Sequence, residues 1–128
     1  MTSSRYSPQL SKSRFMAGLQ CLKRLYLECY ERELADPIDE RQQAIFDTGT
    51  GVGELAREMY PNGRLVEEQY FELAKAIKTT ETVLADVTVE AIFEGAFAFE
   101  KIRIRADILT RNGDGTFDLI EVKSTTSA

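Results

Sequence analysis

The sequence predicts an α+β fold in which N-terminal helices pack on a three-stranded antiparallel meander. Apolar residues recur at spacings of three and four over roughly the first two thirds of the chain, and this spacing is typical of helices. From Val87 onward the spacing changes to two, and an Asn-Gly turn signal separates two of the alternating stretches. A length of 128 residues suits one compact core, so we expect a single domain over residues 1–128.

Composition excludes several classes of function. The chain contains no histidine, which removes Ser-His-Asp and Cys-His catalysis and leaves Asp, Glu, Lys and Tyr for acid–base or metal chemistry. The apolar runs are far shorter than the roughly 20 residues that cross a bilayer, and the N-terminus lacks the apolar stretch of a secretory signal. We therefore expect a cytoplasmic protein without a membrane partner.

Residues 1–36 are predicted to form a basic helical segment. Ser11 or Ser13 can cap a helix with an apolar stripe, and Gly18 is its expected interruption. Residues 1–27 contain no acid and five cations, which are Arg5, Lys12, Arg14, Lys23 and Arg24. Because the whole chain has a net charge of −5, the other 101 residues carry −10. The basic segment is either a phosphate-contacting element or a solvated helix face.

Residues 37–86 are predicted to be helical as well. Pro37 disfavours helical geometry in the residue before it, so the next helix begins after Asp39 and ends at the sequence Tyr60-Pro-Asn-Gly. A further helix is expected over residues 70–85, with a weak point at the Thr79-Thr80 pair.

Residues 87–126 are predicted to form the meander, and the loop between its last two strands sets their register. A two-residue Asn112-Gly113 turn would pair residues whose numbers sum to 225. A three- or five-residue loop centred on Asp114 gives a sum of 228 and places Asp107 opposite Glu121. The sequence leaves both registers open, and a functional interpretation requires the wider loop.

In the wider register, two carboxylates and an amine converge. Asp107 and Glu121 would lie about 5 Å apart on one face of the sheet, with Lys123 on the same face. The carboxylates would repel each other unless a hard divalent cation such as Mg²⁺ lay between them. The alternative is a surface salt-bridge cluster on a solvated strand face.

Three stretches of sequence resemble a known nuclease family. Arg105-Ala-Asp-Ile-Leu, followed after a turn by Asp118-Leu-Ile-Glu-Val-Lys-Ser, resembles the Asp and Glu-X-Lys signature of the PD-(D/E)XK nuclease superfamily. The stretch from Leu10 to Leu27 and the stretch Gly49-Thr-Gly-Val-Gly-Glu-Leu-Ala-Arg are similar to RecB-like nucleases, including the CRISPR-associated exonucleases. The resemblance spans nearly the whole chain.

The resemblance implies a restriction-endonuclease-like αβββαβ core and a metal-dependent, exonuclease-like deoxyribonuclease. Asp107, Glu121 and the backbone carbonyl of Val122 would bind Mg²⁺ or Mn²⁺, and Lys123 would be the catalytic lysine. Glu54 would belong to a helical catalytic motif whose usual histidine position is Gly53 here. DNA is the implied partner, and its phosphates would be contacted by Lys12, Arg14, Lys23 and Arg24.

Two features depart from the family pattern. Cys21 resembles the N-terminal cysteine of iron–sulfur members, but the three further ligands of a 4Fe-4S cluster are missing, so a cluster is expected only in a full-length protein. Otherwise Cys21 is a small buried residue. The helix and strand expected after Lys123 are missing too. We therefore expect an incomplete core, completed by a C-terminal half or a partner chain, with self-association at the open edge.

The incomplete core also makes nuclease activity of the isolated chain weak or absent. The alternative function is a non-catalytic DNA-binding or protein-assembly module with a nuclease-like fold.

Other site interpretations are less consistent with the pattern. The stretch Thr110–Glu121 nearly matches the calcium loop of an EF-hand. An EF-hand requires a helix on each side of this loop, whereas the segments on both sides have strand periodicity. A nucleotide loop at Gly49, Gly51 and Gly53 lacks a preceding strand. Glu94 would be either a solvated acid or a supporting residue of the site.

Overall fold

The computed structural model describes residues 8–124 and confirms the α+β class. The elements in chain order are α1 (Lys12–Gln20), α2 (Leu22–Tyr30), a 3-10 turn (Arg32–Leu34), α3 (Glu40–Arg57), β1 (Gly63–Leu65), α4 (Leu73–Ala85), β2 (Ala91–Phe99), β3 (Ile102–Arg111) and β4 (Phe117–Ile120). The chain divides into two compact units. The first unit combines the described residues up to Pro37 with Ala98–Ile104, and the second combines Ile38–Phe97 with the described residues from Arg105 onward.

The first unit contains the helices α1 and α2. The Ser11 side chain accepts a hydrogen bond from the Arg14 backbone N–H and caps α1. The predicted interruption at Gly18 is wrong, because α1 continues through it and ends at Cys21, whose backbone is extended. A Cβ atom at Gly18 would lie 3.0 Å from the Leu25 side chain. Glycine at this position therefore permits close packing of α2 against α1.

The sheet of the described residues has four strands in the order β1-β2-β3-β4. The prediction of three antiparallel strands is wrong at one edge, because β1 pairs with β2 in parallel and residues 63–65 lie opposite residues 91–93. Parallel neighbours need a crossover connection, which α4 supplies here. The three-residue strand was missed because it is too short to show alternation and follows a Pro-Asn-Gly turn signal.

The second unit has its main core between α4 and the sheet. The buried residues of this core are Val66, Ala76, Val83, Val89, Ile92 and Ala96. Thr80, which is 1% exposed, donates its hydroxyl to the Ala76 carbonyl and accepts the Ala96 backbone N–H at 2.9 Å. The predicted weak point at Thr79-Thr80 is therefore a buried link between α4 and β2, and α4 is continuous across it.

The first strand of the predicted meander begins later than Val87. Asp86 organises a turn in which its carboxylate accepts the Thr88 backbone N–H and hydroxyl, and its carbonyl accepts the Val89 N–H. This turn occupies the beginning of the predicted strand, so β2 starts at Ala91.

The β3–β4 connection is the wider of the two predicted loops. The Asn112 N–H donates to the Thr116 carbonyl at 2.8 Å, which leaves a three-residue loop, and Gly115 at its end has a φ of 89°. A left-handed residue at this position is typical of three-residue hairpin loops. The paired residues run from Ile108 with Ile120 to Arg111 with Phe117, each pair summing to 228. The wider register is confirmed.

No helix within residues 8–124 is long and apolar enough to span a membrane.

Candidate functional site

The confirmed register brings Asp107 to the segment that follows β4. The ladder between β3 and β4 ends at the pair Ile108 and Ile120, and its next pair would be Asp107 and Glu121. Beyond the last backbone pair, the Asp107 side chain contacts the other segment, because its Oδ2 accepts the backbone N–H of Val122 at 2.9 Å. Asp107 is thereby fixed beside the Glu-X-Lys stretch.

Glu121 and Lys123, which are separated by one residue in this stretch, form an ion pair. Lys123 Nζ lies 3.1 Å from Glu121 Oε1. The Lys123 side chain is 73% exposed and the Glu121 side chain is 39% exposed. Water screens a pair with this exposure, so its net contribution to stability is at most about 1 kcal/mol. The pair can therefore separate at little cost when a stronger partner binds either side chain.

A cavity of about 520 Å³ lies within the second unit beside Asp107. One wall is a face of α3, and the other is formed by β2, β3 and the segment after β4. The lining residues are Ile45, Phe46, Gly49, Thr50, Gly53, Arg57, Glu94, Asp107, Ile108, Val122, Lys123 and Ser124. The lining thus includes two carboxylates, one guanidinium and one ammonium group. Glu121 is not part of the lining, although it forms an ion pair with Lys123, which is.

The α3 wall of the cavity contains two glycines. Gly49 and Gly53 are one helical turn apart, and a Cβ atom built on either would meet nothing within 4 Å. Arg57 follows one turn after Gly53 and lines the same cavity. Arg57 was not predicted as a site residue, although residues 49, 53 and 57 are spaced at i, i+4 and i+8 and therefore share one helical face.

Glu54 is not brought to the cavity. It is exposed on α3, whereas its neighbours Gly53 and Arg57 line the cavity wall. Each residue of a helix is rotated by about 100° from the one before, so the position next to a lining residue faces elsewhere. The implied catalytic role of Glu54 has no support from its position.

Glu94 lies in the cavity wall with an unusual backbone conformation. Its φ is 58°, a left-handed value that costs a non-glycine residue about 1–3 kcal/mol. Arg105 stabilises this conformation because its Nε donates to the Glu94 carbonyl at 2.7 Å. The same guanidinium donates to the carbonyls of Val66 and Glu68. Glu94 therefore lies in the same cavity lining as Asp107 and Lys123, and its side chain is 36% exposed.

Arg57 and Glu94 face each other across the cavity wall. Arg57 Nη2 lies 3.9 Å from Glu94 Oε1, and the guanidinium lies 6.0 Å from the centroid of the Phe93 ring. The side chains of Arg57 and Glu94 are 29% and 36% exposed. The long separation and partial exposure make this a weak ion pair.

The predicted DNA-contacting cations belong to the first unit and differ in their surroundings. Arg14 is only 8% exposed, and its Nη1 donates to the Gln9 carbonyl at 2.7 Å, so it has a structural role. Arg24 is exposed and donates to the side chains of Glu28 and Gln20. Lys12 and Lys23 are exposed, and Arg5 lies outside the described residues.

Cys21 is exposed where α2 begins, so the expectation of a small buried residue is wrong. Hydrogen bonds from the backbone N–H groups of Arg24 and Lys23, together with the charges of both side chains, lower the pKa of the Cys21 thiol. Cys21 and Cys29 are the chain's two cysteines, and they are fewer than the four ligands that a 4Fe-4S cluster requires. The residues present do not fit such a cluster.

The EF-hand alternative fails on its flanking elements. The residues from Asn112 to Thr116 connect the strands β3 and β4, and Asp114 accepts the Thr116 hydroxyl and backbone N–H. The Asp114 carboxylate therefore stabilises the hairpin turn.

The oxygen donors at the cavity suit a hard divalent cation. Asp107 and Glu94 bring two carboxylates to the lining, which also includes Val122. Across residues 8–124, no three side chains of His, Cys, Asp or Glu stand together as a ready-made metal cluster. Mg²⁺ is usually held by one or two carboxylates together with water and phosphate, so this donor set fits it.

Comparison with protein-family models, curated proteins and solved structures gave no match to this chain.

Proposed function

We propose that the second unit carries the site of a metal-dependent DNA nuclease of the PD-(D/E)XK type. One observation carries the proposal, namely the β3–β4 register that fixes Asp107 beside Val122 and places both in one cavity with Lys123. The four-stranded sheet with α4 is compatible with part of a restriction-endonuclease-like αβββαβ core. The proposed reaction is the hydrolysis of phosphodiester bonds in the cytoplasm.

Each residue of the site has a proposed role. Asp107, Glu121 and the carbonyl of Val122 would hold a Mg²⁺ or Mn²⁺ ion. Such an ion supplies Lewis-acid activation of water and neutralises charge on the phosphate when it is bound. Lys123 would leave Glu121 and offset the negative charge that develops on the phosphate in the transition state. Lys12, Lys23 and Arg24 are further candidate contacts to DNA, whereas Arg14 is excluded by its burial.

Exposure limits the rate that we expect from the 128-residue chain. Lys123 is 73% exposed, and electrostatic stabilisation is much weaker in water than in an enclosed site. We therefore expect weak cleavage, detectable by the nicking of supercoiled plasmid at high protein concentration.

The test compares Lys123→Ala with the exposed control Lys78→Ala in Mn²⁺-dependent plasmid nicking. Loss of the ammonium group should reduce nicking about 100-fold or more, while the control retains the wild-type rate. Circular dichroism should show that both variants keep the fold. Nicking that survives Lys123→Ala, or a wild type that never nicks DNA at any Mn²⁺ concentration, would contradict the proposal.

A second candidate function is a non-catalytic assembly module. The observation that favours it is the apolar surface near the end of α3, where Leu55 is 64% exposed and Met59 is 75% exposed. Exposed apolar side chains four residues apart can take part in protein–protein contacts.

A further inference from the structure

We propose that Arg57 binds phosphate in the cavity. Without a divalent cation, Arg57 is paired with Glu94, and the pair separates when a divalent cation binds the Glu94 carboxylate. The inference rests on the proposed function of the site. It adds two features that the nuclease motif does not contain. Arg57 contacts the phosphate of the substrate, and the cation binds before Arg57 becomes available for that contact.

The ion pair between Arg57 and Glu94 is weak. The closest atoms are 3.9 Å apart, near the limit of an ion pair, and both side chains are about one third exposed. A divalent cation binds a carboxylate more strongly than a partly solvated guanidinium does at this distance. Glu94 would therefore exchange Arg57 for the cation.

When the pair separates, Arg57 is the side chain that moves. The Glu94 backbone is fixed by the hydrogen bond that Arg105 Nε donates to its carbonyl at 2.7 Å. Arg57 lies at the last residue of α3 and has a long side chain with several rotatable bonds. Separation of the pair therefore releases the guanidinium, while the carboxylate stays in the cavity wall.

The charged side chains of the site are paired with one another or with the backbone. Arg57 faces Glu94, Lys123 faces Glu121, and Asp107 accepts the Val122 N–H. A divalent cation on Asp107 and Glu94 would leave Arg57 without its acidic partner, beside Lys123 in the same cavity lining. A phosphate group would restore the counter-charge of Arg57, and a guanidinium can bind phosphate through two parallel hydrogen bonds. Cation and phosphate should therefore strengthen each other's binding.

The open wall of α3 gives the phosphate room. Gly49 and Gly53 precede Arg57 on the same helical face, and a side chain at either would project into open space beside the cavity. A phosphodiester backbone could approach this face closely enough for Arg57 to reach it.

The test measures binding, so it does not depend on cleavage. Mn²⁺ binding is measured by calorimetry, and binding of a fluorescein-labelled 12-residue oligothymidylate is measured by anisotropy with and without Ca²⁺, which replaces the catalytic cation. The variants are Arg57→Ala, Arg57→Lys and Glu94→Gln. Arg41→Ala is the matched control, because Arg41 is an exposed arginine of α3 outside the cavity lining.

In Arg57→Ala, oligonucleotide affinity with Ca²⁺ should fall about tenfold, as expected for the loss of one charge-assisted contact. Mn²⁺ affinity should stay equal or rise up to about fivefold, because Glu94 loses a weak competitor. Arg57→Lys should keep part of the oligonucleotide affinity, and Arg41→Ala should match the wild type.

Glu94→Gln provides an independent variant that removes the competitor from the opposite side. It should bind the oligonucleotide more tightly without a cation, and Ca²⁺ should enhance that binding less than in the wild type. If Arg57→Ala retains the full Ca²⁺ enhancement, or if the wild type shows no enhancement, the proposal is overturned.

The two proposals can fail separately. A chain whose Ca²⁺-enhanced oligonucleotide binding depends on Arg57, but which never nicks plasmid, would refute the nuclease proposal alone. A chain that nicks plasmid through Lys123 and keeps its enhancement in Arg57→Ala would refute the Arg57 proposal alone.

Discussion

Arg105 and Arg111 each hold several backbone carbonyls of the second unit with one guanidinium group. Arg105 donates to two carbonyls of the segment after β1 and to the carbonyl of the left-handed residue Glu94 of β2. Arg111 donates to the carbonyls of Leu84, Asp86 and Val89. Only arginine offers this many donors in a rigid planar fork, so lysine would not replace either residue equivalently. At the scale of single residues, these arginines stabilise the backbone from which the site is built.

Asp114 stabilises the hairpin turn that sets the register of the site. Hydrogen bonds from the Thr116 hydroxyl and backbone N–H lower the pKa of the Asp114 carboxyl group. A carboxyl group whose pKa is lower in the folded state contributes stability above its unfolded pKa of about 3.9, and this contribution is lost as the pH falls through the folded pKa.

We therefore predict that Asp114→Ala is less stable than the wild type at pH 7 and that the difference shrinks below pH of about 3.9. Urea unfolding at several pH values measures this effect. Thr82→Ala, an exposed change on α4 that involves no ionisable group, is the control and should show no such trend. An Asp114→Ala penalty that is constant with pH would mean that the charged form of the carboxylate is not what stabilises the turn.

At the scale of elements, α4 is attached to the sheet by one buried hydroxyl as well as by apolar packing. The Thr80 hydroxyl oxygen accepts a hydrogen bond from the buried Ala96 backbone N–H. This bond gives the Ala96 N–H an acceptor inside the protein. The sequence pattern favours a weak point here because threonine has a low helix propensity. Tertiary packing decides otherwise, since the hydroxyl has both a donor role and an acceptor role within the core.

We predict that Thr80→Val lowers the free energy of unfolding by about 1–3 kcal/mol, because it leaves the Ala96 N–H buried without an acceptor. Thr82→Val on the same helix is the matched control. The Thr82 hydroxyl is exposed and donates to the Lys78 carbonyl of the same helix, so its loss should cost less than about 0.5 kcal/mol. Equal unfolding midpoints in urea for the two variants would contradict this prediction.

The helix α3 carries one wall of the cavity and also leaves apolar side chains in water. No residue of α3, which the structure describes throughout, is fully buried. Ile45 and Phe46 line the cavity and are more than half exposed. The helix relies on its capping box at Asp39 and Gln42 for local stability at its beginning.

For the whole molecule, we predict self-association through the apolar surface of Leu55 and Met59. The apparent mass should rise above 14.5 kDa with concentration, as measured by light scattering after size exclusion. The double change Leu55→Glu and Met59→Glu should return the mass to that of the monomer, whereas Gln43→Glu on the same helix should not. A wild type that stays monomeric at the highest soluble concentration would exclude this contact.

The acidic residues of the site and the lysine could be named from the sequence, because a signature of charged residues at strand spacing is local. The register that brings Asp107 to Val122 could not be chosen, since the sequence allows two loop lengths and only the hydrogen bonds around Gly115 distinguish them. Arg57 and Glu94 were not predicted as a pair, because they are 37 residues apart and meet only through the packing of α3 beside the sheet.

The sequence by itself determined the α+β class, the helical first part, the turn between the last two strands and the chemistry available without histidine. These properties follow from local spacing and composition, which act over a few residues. Only the tertiary structure decided the parallel strand β1, the burial of Arg14, the exposure of Glu54 and the left-handed conformation of Glu94. Each of these depends on partners distant in the chain, because burial and hydrogen bonding between elements outweigh the weak local preferences of single residues.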